Sequence, residues 1–168
     1  EALEVATDFD LAGYEDWRLP TIKELYSLIL FSGVDPSGCD DTGVCELTPF
    51  IDTEAFVFQY GDESIGERII DSQYASATRY SATTMDGDET VFGVNFADGR
   101  IKGYGLEAPG GGEMTFFVLF VRGNPEYGVN DLLDKGNGTV ADRATGLLWS
   151  QADSREPLSW QEALAYCQ

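Results

Sequence analysis

Three strand-like segments occupy the middle of this 168-residue chain, and they limit its possible folds more than any other feature. Residues 74–80, 90–96 and 100–104 are rich in valine, threonine, alanine and aromatic side chains. Branched and aromatic side chains favour extended backbone. Asp98-Gly99 lies between the last two segments, and this pair favours a tight hairpin turn. The sequence therefore predicts an antiparallel sheet in this part of the chain.

Two capping boxes mark helix starts on either side of the strand-like segments. Thr21 is followed three residues later by Glu24, and Ser159 by Glu162. In such pairs the hydroxyl and the carboxylate accept hydrogen bonds from backbone donors that the first helical turn leaves free. Leucine and isoleucine continue at helical spacing after the first box, so an amphipathic helix is predicted over residues 21–31.

The remaining segments carry weaker patterns. Residues 114–122 are the most apolar run and are expected to form a central strand, while residues 136–149 fit two short strands about a turn. Residues 32–73 are rich in Gly, Asp, Ser and Pro and are expected to be long loops, with one short helix near 52–58.

The charge of the chain excludes several partners. Thirty acidic side chains face ten basic ones and no histidine, which gives a formal charge of −20. Such a surface repels nucleic acid and other polyanions. No apolar run reaches the roughly 20 residues that span a bilayer. We therefore expect no nucleic-acid partner and no membrane insertion.

Cys39 and Cys45 bracket a short loop that turns easily. Five intervening residues do not fit the spacing of zinc or thioredoxin-type sites, and no histidine is available as a further ligand. A Cys39–Cys45 disulfide is the favoured interpretation and two free thiols are the alternative, so an oxidising compartment is expected.

The two ends of the chain resemble each other. Glu1-Ala2-Leu3 recurs as Glu162-Ala163-Leu164, a candidate period of 161 residues. We expect residues 1–123 to be the body of one repeat and residues 124–168 to be the head segment of the next, which completes a domain in the same chain or in a neighbouring copy.

Four sequence blocks carry a family resemblance. They read N-G-T-V-x-D-x-x-T-G-L-x-W, S-W-Q-E-A-L-A-Y-C, G-Y-E-D-W-R-L-P-T-I-K-E-L and F-V-R-G. Together they closely resemble the Lcl C-terminal domain family, in which the first two blocks precede the other two. Here they come last, so the chain resembles one domain with its blocks permuted.

The resemblance implies a fold and a location. Two of the blocks also resemble formylglycine-generating enzymes, whose fold is related to C-type lectins. The expected class is α+β: a small mixed domain with twisted antiparallel strands, two short helices and long loops. Family members occur in exported or bacterial surface proteins, often in tandem, so an extracellular location is expected. The sulfated glycosaminoglycan ligand known in the family needs a basic patch, which this chain lacks.

No catalytic site is predicted. Without histidine the usual nucleophile-base pairs are missing, and Phe116 to Arg122 contains none of the cysteines that formylglycine chemistry would need. Arg18 is expected to pair with an acid such as Asp16 or Asp142. The residues given a structural role in the core are Trp17, Arg18, Trp149 and Trp160.

Calcium is the only cofactor that the sequence suggests. Acidic residues in loops supply the oxygen ligands that this ion prefers, although no EF-hand pattern is present. The candidate ligands are Asp35, Asp40 and Asp41 in one loop and Asp86, Asp88 and Glu89 in another. The alternative is that these loops are simply solvated.

Two functions are compatible with these patterns. The first is a non-catalytic structural repeat of a bacterial surface protein, whose copies assemble into a fibre, stalk or array. The second is an adhesion module that binds surface carbohydrate or protein through loops 32–73 and 105–113, with or without calcium.

Overall fold

The computed structural model describes residues 9–39, 46–84, 87–108 and 110–166. The chain divides into two compact units, Glu1–Tyr127 and Gly128–Gln168, which are described separately below as unit 1 and unit 2. Among the described residues, unit 1 holds a short α-helix and a three-stranded sheet, and unit 2 holds a second three-stranded sheet and a helix. The predicted α+β class is confirmed at this level.

The sheet of unit 1 is antiparallel and follows the chain order. Its strands are β1 (Gln73–Arg79), β2 (Thr90–Asn95) and β3 (Arg100–Gly105). They match the three predicted strands to within one residue at each end. The β1–β2 register shifts between Ala75 and Arg79, which is a local irregularity in the ladder.

The β2–β3 connection is a four-residue loop, wider than the predicted turn. Asn95 pairs with Arg100 at the ends of the strands, so residues 96–99 form the loop. The Gly99 amide donates to the Asn95 carbonyl at 2.9 Å, and Gly99 has a φ of +71°, a value that suits glycine. Phe96 turns into the core instead of extending β2, which lengthens the loop.

Helix α1 covers only Ile22–Tyr26, so the prediction of a helix over 21–31 was too long. The Thr21–Glu24 capping box is confirmed at its start. The helix ends because the following chain finds partners elsewhere: the Leu30 amide donates to the Phe50 carbonyl at 2.9 Å. Pairing with a distant segment therefore overrides the local helical pattern.

The capping box makes Thr21 a direct test of local stability. Its hydroxyl accepts a hydrogen bond from the Glu24 amide at 3.3 Å. Thr21→Ala removes this acceptor, and we expect the free energy of unfolding to fall by about 1 kcal/mol. Urea unfolding measures the loss. Thr21→Ser keeps the hydroxyl and should stay close to wild type, and equal losses in the two variants would contradict a capping role.

The core of unit 1 lies between α1 and the sheet. Its buried members come from α1 and the turn that follows it, from the loop around residue 50, and from the strands and the β2–β3 loop: Leu25, Ile29, Ile51, Tyr74, Val94 and Phe96. The Phe50 amide donates to the Phe96 carbonyl at 2.8 Å, which ties the loop to the end of β2. The core thus joins residues that are far apart in sequence.

Residues 114–122 do not form the predicted central strand. The segment makes two isolated bridges, one parallel with Tyr74 through Phe117 and one antiparallel with Arg18 through Val121. Because its two partners run in different directions, no regular ladder develops. The segment lies beside β1, outside the centre of the sheet.

Residues 32–39 and 46–72 are mostly loop, as predicted, but the helix expected near 52–58 is absent from the described structure. A single turn closes there, with the Phe56 amide bonded to the Asp52 carbonyl at 2.9 Å. Two short 3-10 helices, Pro36–Gly38 and Glu63–Ile65, are present instead.

Unit 2 contains three strands where two were predicted. They are β4 (Leu132–Asp134), β5 (Thr139–Asp142) and β6 (Leu147–Ser150), antiparallel in that order, and helix α2 (Trp160–Tyr166) follows. The capping box before α2 is confirmed, since the Ser159 amide donates to the Glu162 carboxylate at 2.8 Å. Across the described residues of both units, no helix is long and apolar enough to cross a membrane.

Candidate functional site

A bidentate ion pair lies at the start of α1. Arg18 is held by backbone hydrogen bonds to Val121, both 2.9 Å long. Its guanidinium donates to the two Glu24 carboxylate oxygens at 2.6 and 2.8 Å. The Glu24 carboxylate also accepts from the Thr21 amide at 2.8 Å. These bonds fix Arg18 and the helix start in one arrangement.

The electrostatics of the pair favour the charged forms. The hydrogen bond from Arg18 is the main cause that lowers the pKa of Glu24 from 4.5 to about 2, and burial acts in the opposite direction. The same bond raises the pKa of Arg18. The expected partners Asp16 and Asp142 are engaged elsewhere: Asp16 binds Arg122 at 2.7 Å, and Asp142 accepts from Thr145 in its own turn at 2.9 Å.

An apolar cavity of about 530 Å³ opens beside this pair, which we call the body cavity. Its wall is mainly aromatic and aliphatic and includes Trp17, Leu25, Leu28, Phe56, Phe120 and Tyr127. This volume is in the range of small-ligand sites. The lining favours an apolar occupant.

Trp17 and Phe120 are positioned by a small aromatic cluster. The Phe9 ring lies 4.7 Å from Phe120 and 6.0 Å, edge-on, from Trp17. The Trp17 indole N–H donates to the Leu11 carbonyl at 3.3 Å. Trp17 is half-buried, and its structural role stays a prediction.

The polar groups of the body cavity are already paired. Glu24 is bound to Arg18, and Arg122 is bound to Asp16 and lies over the Tyr14 ring at 3.8 Å. A general acid needs a pKa near the working pH, whereas Glu24 is held ionised. The cavity can therefore bind an apolar group, and its charged residues are arranged as structural pairs.

A second cavity of about 470 Å³ is lined in part by residues 75–77 of β1. Leu106, Met114 and Phe116 contribute to its wall together with Arg79 and Glu113. Its lining is more polar than that of the body cavity.

Unit 2 presents apolar side chains on both faces of its sheet. The register aligns Leu133 with Leu148 on one face, and Leu132, Leu147 and Trp149 point to the other. All five are exposed. Among the described residues of this unit, Asp142 alone is buried. The sheet has no apolar core of its own.

The tryptophans of unit 2 do not occupy the core positions expected for them. Trp149 is 56% exposed and Trp160 is 72% exposed. The physical reason is size, because a unit of 41 residues is too small to enclose side chains this large. Leu164 and Tyr166 on α2 are exposed as well.

The candidate calcium ligands are only partly within the described residues. Asp40, Asp41 and Asp86 lie outside them. Asp35 accepts from the Ser37 amide at 2.9 Å and is paired with Arg100, and the Ser37 hydrogen bonds are the main cause that lowers its pKa. Glu89 lies 3.7 Å from Arg79, and the Asp88 carbonyl closes a turn with Thr84. Where the structure describes the chain, no three acidic or cysteine side chains form a metal-binding group.

The predicted disulfide also falls partly outside the described residues, since Cys45 belongs to the segment 40–45. Cys39 follows the 3-10 helix at Pro36–Gly38. The Cys39–Cys45 bond stays a prediction.

Sequence reasoning did not identify the pairing of Arg18 with Glu24. Glu24 was recognised as a capping residue, and its spacing of six residues from Arg18 was the available signal. The body cavity was not predicted either, because its wall combines residues 17–28 with residues 119–127.

Comparison with known proteins gives one match. The family model of the Lcl C-terminal domain matches residues 1–122. Neither the curated proteins nor the solved structures gave a match. The matched range is about three quarters of the chain and contains the Arg18–Glu24 pair and the strands of unit 1. The chain belongs to the Lcl C-terminal domain family.

Proposed function

We propose that this chain is a non-catalytic, extracellular structural repeat of a bacterial surface protein. In this proposal the segment 124–168 of one copy completes the body of a neighbour, in the same longer chain or in another molecule, and repeated contacts produce a fibre, stalk or array. The same proposal includes a fold of the chain that is similar to C-type-lectin-like folds.

The observation that carries the proposal is the exposure of the apolar side chains of unit 2. A unit of this size with no buried apolar residue among those described has too little burial to be stable alone. Covering a half-exposed large side chain contributes about 1 kcal/mol. Ten such residues lie in unit 2, so the gain is on the order of 10 kcal/mol. Association costs about 4–15 kcal/mol, so most of this surface must be covered at once.

Two further features support a non-catalytic role. The chain has no histidine. In the body cavity, the Glu24 carboxylate and the Arg122 guanidinium are bound in ion pairs with Arg18 and Asp16. Binding and assembly fit this arrangement better than proton transfer.

Light scattering of the whole chain tests assembly. We expect masses above the 18.4 kDa of one chain, which increase with protein concentration. The mass should increase further in 1 M NaCl, because salt screens the repulsion between copies of charge −20 while apolar contacts persist. Trp149→Ser should reduce the mass, and Phe31→Ser, at an exposed aromatic residue of unit 1, should not. A mass of 18.4 kDa at all concentrations would refute the proposal.

Adhesion to a surface carbohydrate or protein is the second candidate, and the body cavity favours it by its apolar lining and its volume of about 530 Å³. Calcium remains part of both proposals through the loops at Asp35 and Asp88. Repeating the light scattering with calcium and then with a chelator shows whether the ion acts at the contacts between copies. Glycan-array binding in both conditions tests adhesion, and silence in both would count against it.

A further inference from the structure

We propose that helix α2 of one copy binds in the body cavity of a second copy, with Trp160 and Leu164 entering it. The inference rests on the proposed function and deepens it, because it names the two surfaces that meet. The contact joins two different surfaces, so it can be repeated from copy to copy in a ring or an open filament.

The body cavity has the shape and chemistry to receive a helix face. It is about 530 Å³ in volume, and Trp17, Leu28 and Phe120 give it an apolar wall. Such a cavity on a soluble protein leaves apolar surface in contact with water, and filling it with an apolar side chain is favourable. The ion pair between Arg18 and Glu24 neutralises the acid at its edge.

Helix α2 presents a matching face. Trp160 and Leu164 are four residues apart, so they lie on the same side of the helix, and they are 72% and 55% exposed. Ala163 lies between them on this side and adds no bulk. The acid of the first turn, Glu162, accepts a hydrogen bond from the Ser159 amide at 2.8 Å. Glu162 lies two residues from both Trp160 and Leu164, so it points to a different side of the helix, and this face brings no charge into the cavity.

The charge distribution favours a second copy as the source of the helix. Unit 1 carries 24 acidic and 7 basic side chains, whereas unit 2 carries 6 and 3. Two copies that approach through their unit 1 surfaces repel each other strongly. The approach of unit 2 to another copy's unit 1 meets much less repulsion, and it also covers the apolar surface that unit 2 leaves exposed.

Photo-crosslinking of the full chain tests the contact. The crosslinking amino acid p-benzoylphenylalanine replaces Trp160, and copies labelled with ¹⁴N and ¹⁵N are mixed before irradiation. We expect crosslinked peptides of mixed isotope content that join residue 160 to residues 17–28 or 119–127. The same amino acid in place of Phe31, which is exposed in unit 1 and does not line the cavity, serves as the control. It can reach Tyr26 of its own chain, whose ring lies 6.2 Å from that of Phe31, but it should give no crosslinks of mixed isotope content to these segments.

The outcomes separate this inference from the proposed function. Mixed crosslinks to other parts of unit 1 would overturn the cavity contact and leave assembly intact. Crosslinks of a single isotope to the cavity would mean that the helix binds within its own chain. That result would refute the proposal that the helix comes from a second copy. Absence of mixed crosslinks together with a mass of 18.4 kDa would overturn both proposals.

Discussion

Phe96→Ala is expected to lower the free energy of unfolding of unit 1 by about 3–5 kcal/mol, the range for deleting a fully buried aromatic ring. Phe96 has no exposed surface and packs edge-to-face on Tyr74 with ring centroids 5.1 Å apart. It also contacts the helix side of the core, where Leu25 and Ile29 lie. Replacing the ring with alanine would leave a cavity bordered by three different segments. A shift of any one segment would not fill it.

Urea unfolding followed by near-ultraviolet circular dichroism measures the loss, and hydrogen exchange of the β2 amides assigns it to unit 1. Phe31→Ala is the matched control, because the same ring is removed from a position that is 79% exposed. It should cost less than about 0.5 kcal/mol. If alanine at position 96 prevents folding, Phe96→Leu provides a milder variant, with an expected loss of about 1 kcal/mol. Equal losses of stability in Phe31→Ala and Phe96→Ala would contradict the assignment of Phe96 to the buried core.

The parts of the fold that sequence predicted correctly are those fixed by neighbouring residues. The three strands of unit 1 follow from runs of branched and aromatic side chains, and both capping boxes follow from residues three apart. The errors occur where distant residues compete. The bond between the Leu30 amide and the Phe50 carbonyl shortens α1, and pairing with Arg18 and Tyr74 divides the segment 114–122.

The candidate site was only partly predictable for the same reason. Trp17 and Arg18 were identified from one sequence block, but the wall of the body cavity needs Phe120 and Tyr127, a hundred residues later. For Trp149 and Trp160, an aromatic residue in a strand or helix usually indicates a core. Unit 2 has no partner layer among its described residues, so these side chains are exposed. The sequence pattern indicates that these side chains suit an apolar environment. It does not indicate whether another layer covers them.

Glu24→Gln is expected to lower the free energy of unfolding by about 2 kcal/mol at pH 7. A change in pKa from 4.5 to about 2 corresponds to at most about 3–4 kcal/mol, at about 1.4 kcal/mol per pH unit. Arg18 is 32% exposed, so solvent screens part of this interaction, whereas Glu24 is 8% exposed. The variant keeps a side chain of the same size, so the loss measures the ion pair and its hydrogen bonds.

The pH dependence of this loss distinguishes the ion pair from simple packing. The folded-state pKa of Glu24 is lower than the unfolded one, so its contribution to stability is complete above pH 4.5 and disappears as the pH falls toward 2. Wild type and Glu24→Gln should therefore differ by about 2 kcal/mol in urea unfolding at pH 7, differ by clearly less at pH 3, and converge near pH 2. Arg18→Lys keeps the charge without the bidentate geometry and should show an intermediate loss. A difference between wild type and Glu24→Gln that is the same at pH 7 and pH 3 would mean that the carboxylate stabilises the helix start without its charge.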